Sequence, residues 1–394
     1  MINPYEEVGL QNAERVLSVS HQHLSHTSET IAQNNFNDIY NSGVRHFAIS
    51  RYRPSIITYP FNYENNSFIY VGNQFDTTET IEQLKENYAF KIQAHGDVIG
   101  CPNAEHVYPL LRFNENWSKW SSIHINAIGS AFESGLTPLA DGYQNTGLEV
   151  SYSEAYTKML KKLQYPDAGG IIINHPKWTN DSKHFEYDIQ RFMMDSLDFD
   201  QRVLGTDVIE NGTQTAIDFN TAMIDNILST GRRCWIFAQG DWNMTRGRNE
   251  LLIPTGLTRE EKEYACLRAY RTGAFFGRYA NTNLSITSIG MEDGNFTVTA
   301  ANADGIKVTI DGITTDYSGV SVSVPVPNNA TYVRAMAYTN RDNDPNWTYS
   351  EDDVYKDVVF TNPIMVNEKR YAYNPAYDIV PEKKTKSMPL WLYG

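Results

Sequence analysis

The chain is poor in cysteine, in basic residues and in long apolar runs. Its three cysteines, Cys101, Cys234 and Cys266, are odd in number and outside any redox or metal-binding spacing. A disulfide framework is therefore not expected, which fits synthesis in a reducing compartment. No apolar stretch approaches the ~20 residues needed to cross a bilayer. The opening Met1-Ile-Asn-Pro-Tyr-Glu-Glu has neither the basic start nor the apolar core of a signal peptide. The expectation is a cytoplasmic protein without a membrane span, or one delivered to a virion or cell surface by another route. With 33 Lys and Arg against 47 Asp and Glu, the formal charge is −14. A nucleic-acid phosphate backbone needs a basic footprint. The only strong basic cluster is Lys383 to Lys386 near the end, so nucleic acid is not expected as the main partner.

What is present is the composition of a folded protein. Hydrophobic residues make up 41% and charged residues 20%, with 25 Tyr and 7 Trp, which argues against extended disorder. At 394 residues the chain exceeds what one core usually serves, so a large domain and a smaller one are expected.

Six residues with metal-ligating side chains stand out by order and setting: His21, His23, Glu105, His124, His175 and Asp241. Each lies at or just after a short apolar run that reads as a strand. Arg15 to Ser20 delivers His21 and His23, and residues two apart on an extended segment point the same way. Ala168 to Asn174 ends in His175-Pro176, and Cys234 to Ala238 runs into Gln-Gly-Asp241. Thr27 to Ser42 reads as a helix with Ile31, Phe36, Ile39 and Tyr40 on one face, followed by a strand from Val44 to Ser50. Strand, ligand, then helix is how a (β/α) barrel gathers distant positions at one mouth.

The segment from about Pro54 to Glu86 is polar and aromatic and reads as an insertion near that mouth. Composition changes near Asn281. Beyond it, Phe296-Thr-Val-Thr-Ala, Ile306-Lys-Val-Thr-Ile and Val320-Ser-Val-Ser-Val alternate as antiparallel strands do. The predicted organisation is a barrel over 1–280, a small antiparallel β-sandwich over 281–366 and a tail over 367–394. The apolar Leu390-Trp-Leu-Tyr of the tail suggests docking on the body or on a protein partner.

Neutral imidazole and carboxylate suit Zn²⁺, Mn²⁺ or Fe²⁺, and a shared carboxylate can hold two ions a few ångströms apart. Two such ions lower the pKa of a bridging water and clamp phosphoryl oxygens. Spacing alone does not select phosphate over amide. His46, His95, His106 and His184 read as core or surface residues, and the glycosylation-like Asn65-Asn-Ser and Asn211-Gly-Thr read as chance.

The ordered pieces resemble the PHP (polymerase and histidinol phosphatase) superfamily of metal-dependent phosphoesterases. They are Asn3-Pro-Tyr, Val19-Ser-His21-Gln-His23, Pro102-Asn-Ala-Glu105, His124-Ile-Asn, Gly169-Gly-Ile-Ile-Ile-Asn-His175-Pro176, Val208-Ile-Glu210-Asn and Gly240-Asp241-Trp-Asn243. Ala330-Thr-Tyr-Val-Arg334 and Thr361-Asn-Pro-Ile364 resemble the C-terminal β domain of one branch, so the likeness extends to about Val366. It implies a distorted (β/α)7 TIM-like barrel. One ion would take His21, His23, Glu105 and Asp241, and a second would share Glu105 and add His124 and His175.

Two departures fall together. The family's Asp-His after the second strand is Ser50-Arg51 here, and its Asp-x-His late in the barrel is Asp241-Trp-Asn243. Both missing histidines would serve a third metal. The acidic residue expected after the first His-x-His is also displaced, with Glu29 or His26 as nearby substitutes. The expected enzyme thus holds two divalent ions (Zn, Mn or Fe). Arg51 would replace the third cation by gripping a phosphate oxygen, and Asn243 would bond substrate or support a ligand from behind. Its reaction would be hydrolysis of a phosphate mono- or diester, small or polymeric, by a metal-activated water. The alternative is a degenerate barrel serving as a structural or cell-surface-polymer-binding module, for example in a phage or surface assembly. Hydrolysis of another ester or an amide at the same centre is a third reading.

Overall fold

A computed structural model describes residues 1–51, 56–58, 61–72, 81–110, 121–134, 137–139, 142–144, 151–181, 188–209, 214–242, 247–340 and 355–374. Asn243, Glu210, His184 and the tail beyond residue 374, with Lys383 to Lys386, lie outside the described residues. No helix among the described residues is long and apolar enough to cross a membrane.

Strands build from two kinds of sequence. Val203–Ile209 and Gly170–Ile173 are buried along their whole length, as continuous apolar runs demand. Asn295–Ala301 and Ser321–Pro325 alternate buried and accessible residues, so each covers a core with one face. Helix Glu29–Asn41 buries Ala32, Phe36 and Ile39, one stripe at helical spacing. Helix Arg259–Thr272 starts at a capping box in which Thr258 and Glu261 satisfy each other's backbone N–H groups, and it stops at Gly273 in the left-handed conformation.

The predicted (β/α)7 barrel is not what these elements form. Among the described residues no sheet closes on itself. Among the described residues strand outweighs helix, 39% to 25%, whereas a ring of helices around a barrel gives the reverse balance. A ten-stranded sheet contains, in order, Ile313–Ser318, Gly305–Ile310, Tyr332–Asn340, Tyr355–Thr361, Phe275–Tyr279, Gly247–Pro254, Ala13–Gln22, His46–Ile49 and Ile99–Gly100, with Ile364–Met365 off this path. A five-stranded sheet runs Trp235–Ala238, Val203–Ile209, Gly170–Ile173, Ser121–Ile128, Glu105–Leu110.

Pairing direction is the physical reason. Ser121–Ile128 is antiparallel to both its neighbours, and Ala13–Gln22 is antiparallel to Gly247–Pro254. Antiparallel neighbours need no helical crossover, so the strict strand–helix alternation fails. The C-terminal strands are antiparallel, and they divide between two sheets. Tyr355–Thr361 pairs with Phe275–Tyr279 across residue 280, which extends the ten-stranded sheet. The three strands Ser285–Glu292, Asn295–Ala301 and Ser321–Pro325 form their own sheet, whose Phe296, Val298 and Val324 join Ile306, Val308 and Val333 in one core.

Close approach of two strands in the smaller sheet depends on one glycine. Gly205 has φ +155°, and a β-carbon there would stand 2.1 Å from the Trp235 carbonyl oxygen. Backbone cannot give way as a side chain can. Gly205→Ala should force apart the strands that carry Asp207 and lead to Asp241, at a cost of roughly 3 kcal/mol in a denaturant titration. A change under ~0.5 kcal/mol would contradict the packing described.

Candidate metal centre

The edges of the two sheets meet at one point. Gln22 bridges Asp241 in parallel, and the His23 N–H donates to the Asp241 carbonyl at 2.9 Å. This contact brings the end of Ala13–Gln22, with its two histidines, against the residues leaving the smaller sheet. All six sequence-selected ligands converge there.

They do so as two groups, His21 with His23, Glu105 and Asp241, and Glu105 with His124 and His175. His21 Nε2 and His23 Nε2 are 3.2 Å apart. Glu105 Oε2 lies 3.2 and 2.8 Å from them, and Asp241 Oδ1 lies 3.5 and 3.3 Å away. Four donors around an ion at ~2.0–2.1 Å in tetrahedral geometry stand about 3.3 Å from one another. The measured edges scatter around that spacing. The other carboxylate oxygen, Glu105 Oε1, lies 2.9 Å from His124 Nδ1 and 3.3 Å from His175 Nε2. Glu105 therefore turns one oxygen to each group and is the residue the two groups share.

Outer contacts fix the rings. The His21 Nδ1–H donates to Gln239 Oε1 at 2.9 Å, and the His23 Nδ1–H donates to the Ser50 carbonyl at 3.1 Å. Both Nε2 lone pairs then face the same point, an arrangement that a cation between them stabilises. The Gln239 amide is itself set by Asn174 Oδ1 at 3.2 Å. Asn174 donates to Asn126 Oδ1 at 2.6 Å, and Asn126 donates to Asn103 Oδ1 at 2.9 Å. All four amides are buried, so this chain forms a fixed floor beneath the ligands.

Charge and backbone conformation agree with the donor set. Burial alone would raise the Glu105 carboxyl, yet His21 and His124 hold it well below the ordinary carboxylate range. Asp241 is likewise held down against burial by His23 and then His21 when these rings are protonated, a positive charge that a bound cation would replace. Burial works to lower the His21 imidazole, and Glu105 followed by Asp241 outweighs it, so the net shift is upward. His175 (φ +32°) and Asp241 (φ +50°) adopt the left-handed conformation. Among the described residues His175 is the only such residue that is not Gly, Asn or Asp. Its N–H is pinned to Asp207 Oδ1 at 2.6 Å. Strain of about 1–3 kcal/mol held at two ligands is common at functional sites.

Two aromatic walls flank the centre. Trp242 stacks on His23 with centroids 4.5 Å apart, and Trp178 packs against His124 and His175 at 5.1 and 5.0 Å. Both stay open to solvent, 38% and 46% exposed, whereas Trp235, on a strand of the smaller sheet, is fully buried.

Other expected participants have contacts of their own. Arg51 is fully buried next to Ser50, and its Nε donates to the Val71 carbonyl at 2.8 Å. Glu29 accepts from the Lys91 N–H at 2.9 Å, and the His26 ring meets Trp242 edge-on. Neither belongs to the two ligand groups. His46 is buried against Ser18, and burial pushes its imidazole down to about 3, as it does for His106. Sequence reasoning missed Gln239, Asn126 and Asn174 as positioning residues and both tryptophans as walls. A signal existed, because Asn174 and Gln239 directly precede or nearly precede a ligand.

The buried imidazoles and carboxylates make two groups that could hold metal ions. Compared with protein-family models, with curated proteins and with solved structures, the chain gives no match.

Proposed function

We propose that this chain is a metal-dependent phosphoesterase that hydrolyses a phosphate mono- or diester at a centre of two divalent ions, Zn, Mn or Fe. The observation that carries the reading is Glu105, whose two oxygens serve two ligand groups at coordination spacing. The resemblance of the ordered motifs to the PHP superfamily favours phosphate over other esters. When bound, paired ions supply a water of near-neutral pKa and a clamp for phosphoryl oxygens. His21, His23 and Asp241 would hold one ion, and His124 and His175 the other, with Glu105 common to both.

The chain's own residues do the rest. Gln239 and the Ser50 carbonyl orient the two His-x-His rings, and the amide floor prevents them from turning. Trp178 and Trp242 present apolar faces beside the ligands, suited to the organic part of a substrate. Arg51 enters as a buried positive charge one residue from the carbonyl that orients His23. Trp242→Ala should raise KM about tenfold or more on a substrate carrying a ring, with bound metal unchanged. Loss of metal in that variant, or an unchanged KM, would contradict the role of a substrate wall.

The direct test assays purified protein with p-nitrophenyl phosphate and bis-p-nitrophenyl phosphate, before and after chelation. Hydrolysis that stops with chelator, returns with one added divalent ion and is inhibited by inorganic phosphate supports the proposal. Turnover indifferent to chelator, or none with any ion, sinks it. A binding module for a phosphate-rich polymer is the second reading, favoured by the two exposed tryptophans. It predicts polymer retention without turnover, unaffected by His21→Ala.

A further inference from the structure

A second concave site lies at the other end of the smaller sheet. Gly170–Ile173, Val203–Ile209 and Trp235–Ala238 run parallel, so their starts share one edge and their ends the other. His175 and Asp241 leave from the ends. Arg202 and Arg233 precede two of the starts, and Arg271 donates to the Gly169 carbonyl beside the third at 2.6 Å. Six steps along the chain, through strand Gly170–Ile173, separate Gly169 from His175, a span of up to roughly 20 Å.

A cavity of about 500 Å³ opens at that edge, lined by Arg202, Arg232, Arg233, Arg271, Lys369 and Arg370 together with Asp198, Asp200 and Glu368. Six cations against three carboxylates leave three positive charges in excess, in a chain of net charge −14. The carboxylates are each committed. Asp198 takes Arg232 through two bonds of 2.8 Å, Asp200 takes Arg202 at 2.9 and 2.7 Å, and Glu368 faces Arg370 at 3.6 Å. Arg233 and Arg271 bond backbone carbonyls of Gln201, Gly169 and Ala168, which orient them without neutralising them. A neighbouring hollow of about 340 Å³ shares Arg233 and Arg271 and adds Arg268.

The guanidiniums repel one another. Arg271 is pushed down to about 10, first by burial and then by Arg202, with Arg233 and Arg268 acting in the same direction. Holding half-buried like charges together costs stability unless an anion joins them. Several guanidinium forks around one small cavity suit a ligand with many oxygens, and phosphate matches the fork best.

We propose that this cavity binds a small multivalent phosphate anion, of the pyrophosphate type, at a site separate from the metal centre. It does not depend on the function proposed above. Lys369 is exposed and lies over Gly231, where it can close on a bound anion.

Isothermal titration of the chelator-treated full chain with pyrophosphate tests this. One equivalent should bind, more tightly than citrate. Glu105→Gln, which disables the metal centre, should leave the affinity unchanged. Arg233→Gln should weaken it about tenfold or more, the loss expected for one charge-assisted contact. Lys369→Gln, at an exposed position that does not endanger folding, should weaken it severalfold. Absence of binding overturns the proposal, as does binding lost in Glu105→Gln. Affinity unchanged in both cavity variants, or equal affinity for citrate, also overturns it.

Discussion

Glu105→Gln is expected to remove both halves of the metal centre at once. Each carboxylate oxygen faces a different pair of histidines, at 2.8 Å from His23 and 2.9 Å from His124. Glutamine keeps the shape but offers one oxygen and an NH₂ that donates instead of accepting. It also deletes the buried negative charge that would hold cations among four imidazoles. Bound metal should fall below about a tenth of the wild-type value, beyond the 10–100-fold affinity loss typical of an outer contact. His124→Ala should empty only the group it belongs to, about half the metal. Because the Gln variant is nearly isosteric, circular dichroism should show the fold retained. A folded Glu105→Gln protein that keeps its full metal content would show that the groups do not share this carboxylate.

The largest effect on stability is expected far from that centre, at Asp225→Ala. Asp225 on helix Gln214–Ser229 receives the Arg334 guanidinium through two bonds, 2.7 and 2.6 Å, and the Tyr332 hydroxyl at 2.8 Å. Arg334 is 3% exposed, on a strand of the ten-stranded sheet. Burial works to lower its guanidinium, and Asp225 outweighs this to raise it. Removing the carboxylate leaves a buried charge without compensation, which typically costs about 3–5 kcal/mol. Replacing both partners, as Asp225→Ala with Arg334→Met, should recover much of the loss, because the uncompensated charge is then gone. Denaturant titration of the two variants decides the matter. A loss under ~1 kcal/mol for Asp225→Ala would mean that water or a neighbour takes over the charge.

This pair also shows what the sequence could not convey. Ala330-Thr-Tyr-Val-Arg334 was visible as a motif, but nothing in it says that Arg334 reaches a helix more than 100 residues earlier. Local elements were legible where period and caps are strong. The expected helix from Thr27 to Ser42 is Glu29–Asn41, and the strand from Cys234 to Ala238 is Trp235–Ala238. Even there the apolar face slipped, since Ile31 is 48% exposed and Ala32 takes its place. Strand Gly247–Pro254 and helix Arg259–Thr272 went unread, although Thr258, Glu261 and Gly273 form a complete start-and-stop signal.

Architecture failed for a different reason. An apolar run ending in a ligand identifies a strand without stating which way its neighbours run, and the antiparallel placement of Ser121–Ile128 cannot be read from its own residues. The six ligands survived that error because each lies in or directly beside its own strand, with Glu105 at a strand start and His124 within one. The amides beneath them carry only the weaker mark of standing close to a ligand in sequence, and their roles emerge once the two sheets are brought together.

The central claim is that these six residues hold metal, and elemental analysis of the purified wild-type chain tests it most directly. About two equivalents of Zn, Mn or Fe per chain are predicted for a centre with one shared carboxylate. Metal near zero, and not restored by reconstitution with any of the three ions, would contradict the account.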